Sequence, residues 1–284
     1  MIQIQHETDR LVSLFVEGRL LFRYIYRSEA PEKESPRPYF HPLNSLAGDT
    51  LTNFRPNDHP WHHGLSLTLN SVSDANFWGG PTYVRGEGYQ WLSNHGAQHH
   101  VAWRQLETSG NKATMVHTLE WRHATGIYFR EVRSIVIEID LKASAWSLHW
   151  HSELSNVSGR VLSLGNPYST GGLTGSHYSG LQFRGARELL DDHLDPTIKV
   201  MAEGDLQGDA AVHGAKARWM EWHGQMDTTL RRVVIRFENR TGPLHWFLRR
   251  KDPLMAMPAQ FDHNLEIAGG DRIEFDHLLT FTAL

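Results

Sequence analysis

Residues 126–140 read GIYFREVRSIVIEID, and this stretch decides the fold class. Its large apolar residues share one parity: Ile127, Phe129, Ile135, Ile137 and Ile139. A period of two residues places such side chains on one face of a β-strand, while the other face turns towards water or a cleft. The stretch therefore predicts β-structure packed against a core.

The same alternation recurs along the chain, at 65–70, 115–122, 146–151, 233–237 and 273–281. Turn-forming sequences separate these runs: TSGN at 108–111, HATG at 123–126, SNVSG at 155–159, ENRTG at 238–242 and AGGD at 268–271. No segment carries an apolar stripe at helical spacing over three turns. Many strands joined by short turns predict an all-β fold, a single-domain antiparallel β-sandwich over residues 1–284.

Two irregular stretches interrupt this pattern. Residues 29–42, EAPEKESPRPYFHP, combine prolines with charges and predict a surface loop. Residues 165–217 are rich in glycine, aspartate and serine, and a loop of that length is usually functional or disordered.

The composition narrows the class of protein. The 284 residues include no cysteine, which removes disulfides, thiolate metal sites and cysteine nucleophiles and suits a reducing cytoplasm. We find neither a secretory signal nor an apolar run of about 18 residues, so a cytoplasmic protein without a membrane partner is predicted. A net charge of −4 without a basic block argues against a nucleic-acid partner. The oligomeric state stays open.

The candidate chemistry centres on residues 58–70, DHPWHHGLSLTLN. If the strand pattern continues back through Gly64, His62 faces solvent or a cleft, whereas His63 lies on the leucine face and needs a hydrogen bond. Pro60 places His59 in the turn before the strand, where it could lie beside His62. Asp58 could then orient one imidazole. The alternative is a polar turn on the surface.

Two further sets of side chains are candidates for chemistry. Glu131 and Arg133 lie on an otherwise apolar face, so they must pair or serve a site, and Glu131 could act as a general acid or base. His149, His151 and Glu153 share one strand face, which suits either a metal site or a solvated surface.

Candidate substrate contacts lie in the second half of the chain. The glycine-rich segment 165–185 carries Tyr168, His177, Tyr178 and Arg184 and could fold over a cleft, although it could equally be a flexible connection. Arg249, in HWFLRRKD at 245–252, could clamp an anionic or polyhydroxy ligand, or simply carry surface charge.

The segment from Pro38 to Trp78 resembles a widespread bacterial family whose members often carry the label methane oxygenase PmoA. The matching pieces are Pro38-Tyr39, His41-Pro42-Leu43, Gly48, Thr52, Pro56, Asp58-His59-Pro60, His62-His63-Gly64 and Phe77-Trp78. Weaker matches are Glu131/Arg133, Gly180-Leu181 with Arg184, and ARWMEWHG at 217–224. A membrane methane monooxygenase subunit needs spanning helices, for which the sequence has no suitable run.

This resemblance implies a galactose-mutarotase-like β-sandwich, of the supersandwich type, in a family found among sugar-catabolism genes. It also implies that His59, His62 and His63 form the active centre. The resemblance implies no particular reaction.

The sequence thus predicts a cytoplasmic carbohydrate-active enzyme that acts on a sugar, sugar acid or oxidised glycoside as an isomerase, lyase or hydrolase. His59 and His62 would be the acid/base pair, because imidazole titrates near neutral pH, with Asp58 or His63 holding them and Glu131 as the next candidate base. The expected substrate-binding residues are His41, Trp78, Tyr168, His177, Arg184 and Arg249.

Two alternatives remain at the level of the sequence. In the first, a divalent metal is bound by His59, His62 and His63, or by His149, His151 and Glu153, and the protein is a metal-dependent lyase, hydrolase or oxygenase. In the second, the protein is a sugar-binding module without turnover. A small-molecule carbohydrate is the expected partner in either case, and no cofactor is certain.

Overall fold

The computed structural model describes residues 1–284 and consists almost entirely of antiparallel β-strands. The first eight strands are β1 (Ile2–Glu7), β2 (Leu11–Val16), β3 (Arg19–Ile25), β4 (Tyr39–Leu43), β5 (Leu65–Thr68), β6 (Ser71–Val72), β7 (Thr82–Val84) and β8 (Gly88–Gln90). The next five are β9 (Ala97–Ser109), β10 (Lys112–His123), β11 (Gly126–Asp140), β12 (Ala145–Asn156) and β13 (Leu162–Gly165).

The remaining strands are β14 (Gly180–Arg184), β15 (Lys199–Ala202), β16 (Leu206–Gln207), β17 (Lys216–Ala217), β18 (Trp219–Gln225), β19 (Arg232–Asn239), β20 (Leu244–His245), β21 (Phe247–Arg249), β22 (Leu254–Met257), β23 (Leu265–Ile267) and β24 (Arg272–Ala283). The helices are short: α1 (Pro167–Gly171), α2 (Asp209–Val212) and two 3-10 turns at Glu32–Glu34 and Arg187–Leu189.

Two large sheets form the two layers of a sandwich. One has eight strands in the order β1-β2-β3-β4-β5-β14-β22-β21, and the other has nine in the order β16-β15-β18-β19-β24-β12-β11-β10-β9. All of their strand pairs are antiparallel. The predicted all-β antiparallel sandwich is therefore confirmed.

The core between the sheets contains the residues whose alternation predicted the strands. On β11, Ile135 and Ile137 are fully buried, and on β12 Trp146 and Trp150 are buried while their neighbours are only partly covered. Aromatic contacts join the layers, since the ring of Trp146 lies 6.1 Å from that of Phe22 across the sandwich. One core of 54 buried residues spans both sheets.

Glu131 and Arg133 pair inside this core. Nε of Arg133 donates to Oε1 of Glu131 at 2.7 Å and Nη2 donates to Oε2 at 2.9 Å, and neither side chain reaches solvent. Trp121 and Ser152 donate to the same carboxylate. The apolar face thus carries these two charges because they satisfy each other.

Both irregular stretches differ from their predictions. Residues 165–217 contain β14, a central strand between β5 and β22. All five of its residues are buried, so it lacks the alternation that identifies a half-exposed strand. Residues 29–33 are mostly exposed, as predicted, but Glu34 and Arg37 are buried and β4 begins at Tyr39.

Buried histidines make the stability of this fold sensitive to mild acid. Burial lowers the pKa of His41, His63 and His100 to about 4 and that of His277 to about 3. Below about pH 6.5 the unfolded chain binds protons that the folded chain does not, so the free energy of unfolding falls as the pH drops towards 4. Each histidine contributes up to about 1.4 kcal/mol per pH unit in this window.

We therefore expect urea denaturation to show a markedly lower stability at about pH 5 than at about pH 7.5. Carboxylates with lowered pKa values contribute only at lower pH. A free energy of unfolding that stays level across this interval would contradict the burial of these histidines.

Candidate functional site

A cavity of about 310 Å³ opens on the outer side of the eight-stranded sheet, beside His59 and His62. The histidine, aromatic and arginine side chains on its walls include His59, Trp61, His62, Trp78, Tyr178 and Arg249. A larger cavity of about 650 Å³ lies near Asn111 and Asp140 and is lined by no histidine. A third cavity of about 360 Å³ is lined by His245, His277, Phe261 and Phe275. The cavity beside His59 and His62 is the one that contains the histidine cluster predicted from the sequence, and tryptophan and tyrosine side chains line it as well.

His59 and His62 form a stacked pair on the cavity wall. Their ring centroids lie 4.9 Å apart with an interplanar angle of 22°. Nδ1 of His59 lies 3.0 Å from Oδ2 of Asp58. Partial burial would raise the pKa of Asp58, but the contact with His59 outweighs it and lowers that pKa. Asp58 is thus close enough to pair with His59, but the two groups are not aligned for a hydrogen bond, so its role in orienting the imidazole stays a prediction.

His62 is buried and uncharged at neutral pH. Burial, followed by the positive charge of Arg184, lowers its pKa well below the usual value. Its Nδ1 has no hydrogen-bond partner in the protein. Nδ1 itself has no exposed surface. The ring lines the cavity, and through the part that faces the cavity a neutral imidazole can accept a proton or a hydrogen bond from a ligand.

Two tight turns bring the histidines together. The amide of His59 donates to the carbonyl of Pro56, and the amide of His62 donates to the carbonyl of His59, both at 3.0 Å. Gly64 then adopts a φ of +46°, so the strand alternation begins only at Leu65 and does not run back to the histidines. His62 reaches the cavity through this turn rather than through strand parity.

Replacing Gly64 with alanine is expected to destabilise the protein by about 3 kcal/mol. The conformation disfavours any residue with a Cβ, and a Cβ at this site would overlap the carbonyl oxygen of Phe40. Gly86 has a φ of +82° with open space around it, so Gly86→Ala is the matched control and should cost only about 1 kcal/mol. Chemical denaturation measures the free energy of unfolding of both variants. An equal decrease for Gly64→Ala and Gly86→Ala would show that close packing at Gly64 is unimportant.

His63 has a different role from its neighbour. It is fully buried, and its Nε2 lies 3.0 Å from Oε2 of Glu34, whose other oxygen accepts from Arg55 at 2.7 Å. The predicted hydrogen bond of His63 is present, but its side chain does not line the cavity. We therefore regard His63 as an anchor of the histidine turn and assign it no part in chemistry.

Arg37 holds two of the cavity walls in place. This fully buried guanidinium donates to the carbonyl of Trp61 at 2.7 Å, to the carbonyl of Trp78 at 3.1 Å and to Oγ of Ser66 at 3.1 Å. Sequence reasoning missed both Arg37 and Glu34, because charges beside prolines indicated a solvated loop. Their burial depends on contacts with residues that are distant in sequence.

The opposite wall carries Tyr178 and Arg249. The Tyr178 ring lies 4.9 Å from that of Trp78, and its hydroxyl lies 3.1 Å from the hydroxyl of Tyr89. Burial raises the pKa of Tyr178 well above the usual value, so it keeps its proton at neutral pH. Arg249 donates to the carbonyl of Gly175 at 2.8 Å.

Several predicted site residues lie elsewhere. His41 contacts Oγ1 of Thr52 at 3.0 Å and does not line the cavity. Tyr168 packs on His177, which stacks on Phe261 at 3.8 Å, so neither reaches the cavity. Glu131 is enclosed in the core with Arg133. Each of these four predicted residues is occupied by a partner in the protein. Arg184 is also not among the residues that line the cavity. These positions correct the predicted set.

The two predicted metal-ligand sets do not converge. His149 lies 2.6 Å from Asp276, His151 lies 2.7 Å from Glu274, and Glu153 lies 3.0 Å from Arg272. Each of the three thus has a separate partner on the adjacent strand. No group of three or more His, Asp or Glu side chains is arranged to hold a metal ion, including the cluster at His59.

The fold and the cavity define an all-β sandwich protein with a histidine site enclosed by aromatic side chains. Residues 11–283 match the model described as a family of unknown function (DUF6807), and the chain belongs to this family. The description assigns no activity, so the PmoA label stays a prediction. No curated protein matches the chain. None of its helices is long and apolar enough to cross a membrane.

Solved structures share the fold. The chain is similar to the galactosidase domain of the α-galactosidase–sucrose kinase AgaSK, with a TM-score of 0.50, 7% identity and coverage of 99% of this chain and 42% of that one. It is also similar to the GH36 α-galactosidase AgaA from Geobacillus stearothermophilus, with a TM-score of 0.42, 8% identity and coverage of 100% and 40%. The chain thus spans about two fifths of the length of these two proteins.

A third similar structure is a galactose mutarotase-like protein from Clostridium acetobutylicum, with a TM-score of 0.40, 9% identity and coverage of 100% of this chain and 98% of that one. At such low identities the likeness concerns the fold alone.

Proposed function

We propose that this protein is a carbohydrate-active enzyme that binds a sugar-sized substrate in the His59/His62 cavity and moves a proton with His62. The observation that carries this proposal is the neutral imidazole of His62 on the wall of a cavity that is also lined by Trp61, Trp78 and Tyr178.

The cavity walls suit a sugar ring. Trp61, Trp78 and Tyr178 present apolar faces that can cover the C–H faces of a pyranose, while Tyr178 and Arg249 offer hydrogen-bond donors to its hydroxyl groups. A volume of about 310 Å³ is near the lower end of the range for small-molecule sites, which suits one sugar ring rather than a polymer.

The proposed acid and base both line the cavity. In this proposal the neutral imidazole of His62, on which the His59 ring stacks, accepts a proton from the substrate, and the hydroxyl of Tyr178, which keeps its proton at neutral pH, donates one. Sugar isomerisation, elimination and hydrolysis all need such a pair. The similar domain of AgaSK is named a galactosidase domain, so hexoses are reasonable first compounds to test. A cytoplasmic location stays a prediction from the composition.

The test is a panel of neutral sugars, sugar acids and oxidised glycosides. Binding is measured by isothermal titration calorimetry, and product formation is followed by NMR with and without a chelator. We expect at least one compound to bind and to be converted whether or not the chelator is present. Binding without product would favour a sugar-binding module, activity lost with the chelator would favour a metal enzyme, and no binding at all would overturn the proposal.

A further inference from the structure

Trp91 is the one tryptophan of this chain that is mostly exposed. It is 59% exposed, whereas each of the other nine tryptophans is buried or half-buried. Trp91 directly follows β8, and Tyr89 on that strand is itself 47% exposed. Large apolar side chains that are exposed together commonly mark a surface that binds another molecule.

These two aromatic side chains continue the walls of the His59/His62 cavity outwards. Tyr89 lines the cavity, and its hydroxyl lies 3.1 Å from the hydroxyl of Tyr178 on the same wall. Trp91 does not line the cavity, but its ring meets the ring of Trp61, which does, edge to face at 5.9 Å. Trp91 therefore lies just outside the cavity, next to its aromatic wall.

Contacts on several sides hold the Trp91 ring in place. Besides Trp61, it lies 6.4 Å from the ring of His95, whose Nε2 is fixed at 2.8 Å from the carbonyl oxygen of Gly80. Gly80 packs so closely on Trp61 that a Cβ there would overlap the indole. A platform that is rigid before the ligand arrives loses little conformational entropy on binding.

The surroundings of Trp91 suit a sugar ring. A pyranose has an apolar C–H face, which can pack on an indole, and a rim of hydroxyl groups. The ammonium group of Lys33 lies 5.9 Å from the centre of the Trp91 ring and can donate hydrogen bonds to such hydroxyl groups. A protein partner is a poorer match, because the exposed apolar side chains of this segment are only Tyr89, Trp91 and Leu92. A stable protein interface buries about 800 Å² on each partner, far more than three side chains provide.

We propose that the substrate is a glycoside of at least two sugar rings, in an inference that rests on the proposed function. One ring occupies the cavity beside His62, and the next ring packs on Trp91. The cavity volume of about 310 Å³ suits a single ring, so the second ring lies outside it, where Tyr89 and Trp91 are exposed. A free monosaccharide would leave the surface of Trp91 unused.

The experiment compares monosaccharides with disaccharides that contain them. Calorimetric titrations of the full chain use galactose against melibiose and lactose, and glucose against maltose and cellobiose. The 4-nitrophenyl glycosides of galactose and glucose serve as probes in which an aromatic group replaces the second sugar ring. We expect at least one disaccharide to bind about tenfold or more tightly than its monosaccharide.

Two variants and one control locate the effect. Trp91→Ala should weaken binding of that disaccharide about tenfold and leave the monosaccharide affinity within about twofold, whereas Trp91→Phe, which keeps a flat ring, should retain part of the preference. Trp219→Ala makes the same change on the other large sheet, where the indole packs on Arg236 at 4.3 Å, and should alter neither affinity. Circular dichroism checks that each variant is folded.

The outcomes separate this inference from the proposed function. Equal binding of monosaccharides and disaccharides, a preference that survives Trp91→Ala, or an equal loss for both kinds of sugar would overturn the second-ring site and leave the proposed function standing. Tighter binding of a nitrophenyl glycoside than of any disaccharide would assign Trp91 to an aromatic group instead. Self-association that Trp91→Ala abolishes in analytical ultracentrifugation, without an effect on sugar binding, would assign it to a second copy of the chain. If none of these compounds binds the wild-type protein, both proposals fall.

Discussion

Replacing His62 with glutamine is expected to lower turnover of the best substrate by about 10²- to 10⁴-fold and to leave the protein folded. Glutamine keeps a polar group of similar length but has no basic ring nitrogen that can accept a proton. No side chain of the protein bonds to Nδ1 of His62, so the substitution breaks no bond at that atom. Turnover is measured by NMR with saturating substrate, and folding is checked by circular dichroism.

The control for this variant is His151→Gln. His151 lies on the solvent side of the nine-stranded sheet, where its Nε2 contacts Glu274 at 2.7 Å, so its loss should leave turnover unchanged. Turnover by His62→Gln within about threefold of the wild type would rule out His62 as the proton acceptor. A reduced affinity with unchanged turnover would assign His62 to binding alone.

Replacing Glu131 with leucine is expected to lower the free energy of unfolding by about 3–5 kcal/mol. The substitution leaves the fully buried guanidinium of Arg133 without its carboxylate and removes the acceptor of the Trp121 indole N–H. A buried charge without a partner is among the most destabilising changes in a protein core. Urea denaturation measures the loss.

A second variant separates the effect of the unpaired Arg133 charge from the effect of the changed side-chain shape at position 131. Glu131→Leu combined with Arg133→Met removes both charges and should be more stable than Glu131→Leu alone. As a surface control, Arg130→Ala on the same strand removes an exposed partner of Glu120 and should cost less than about 1 kcal/mol. A double variant less stable than the single one would mean that Arg133 does not need the Glu131 carboxylate.

The β-sandwich can be predicted from the sequence because its long strands bury only one of their two faces, which produces an alternating pattern of apolar residues. Ile135 and Ile137 are buried as their parity predicts, and each predicted turn lies at the end of a strand. β14 could not be found in this way, since it is covered on both sides and its glycine-rich surroundings indicate a loop. Its identity as a strand comes from its partners β5 and β22, which are distant in sequence.

The candidate site, too, can be predicted from the sequence only in part. His59, His62 and Asp58 are predictable because they are neighbours in a short turn, and Trp78 and Arg249 are also among the predicted residues on the cavity wall. Tyr89 and Trp61 are not predicted as substrate contacts, although they enclose the same space. Nothing local marks them, because their role arises only when separate segments of the chain are folded together.

The most direct test of the central claim is an NMR titration of protein labelled at its histidine and tryptophan rings with the sugar that binds best. We predict that the signals of His62, Trp61 and Trp78 shift in proportion to binding, while those of His151 and His277 do not. Shifts that leave these three residues unchanged and instead involve His277, which lines a separate cavity near Phe275, would contradict the account.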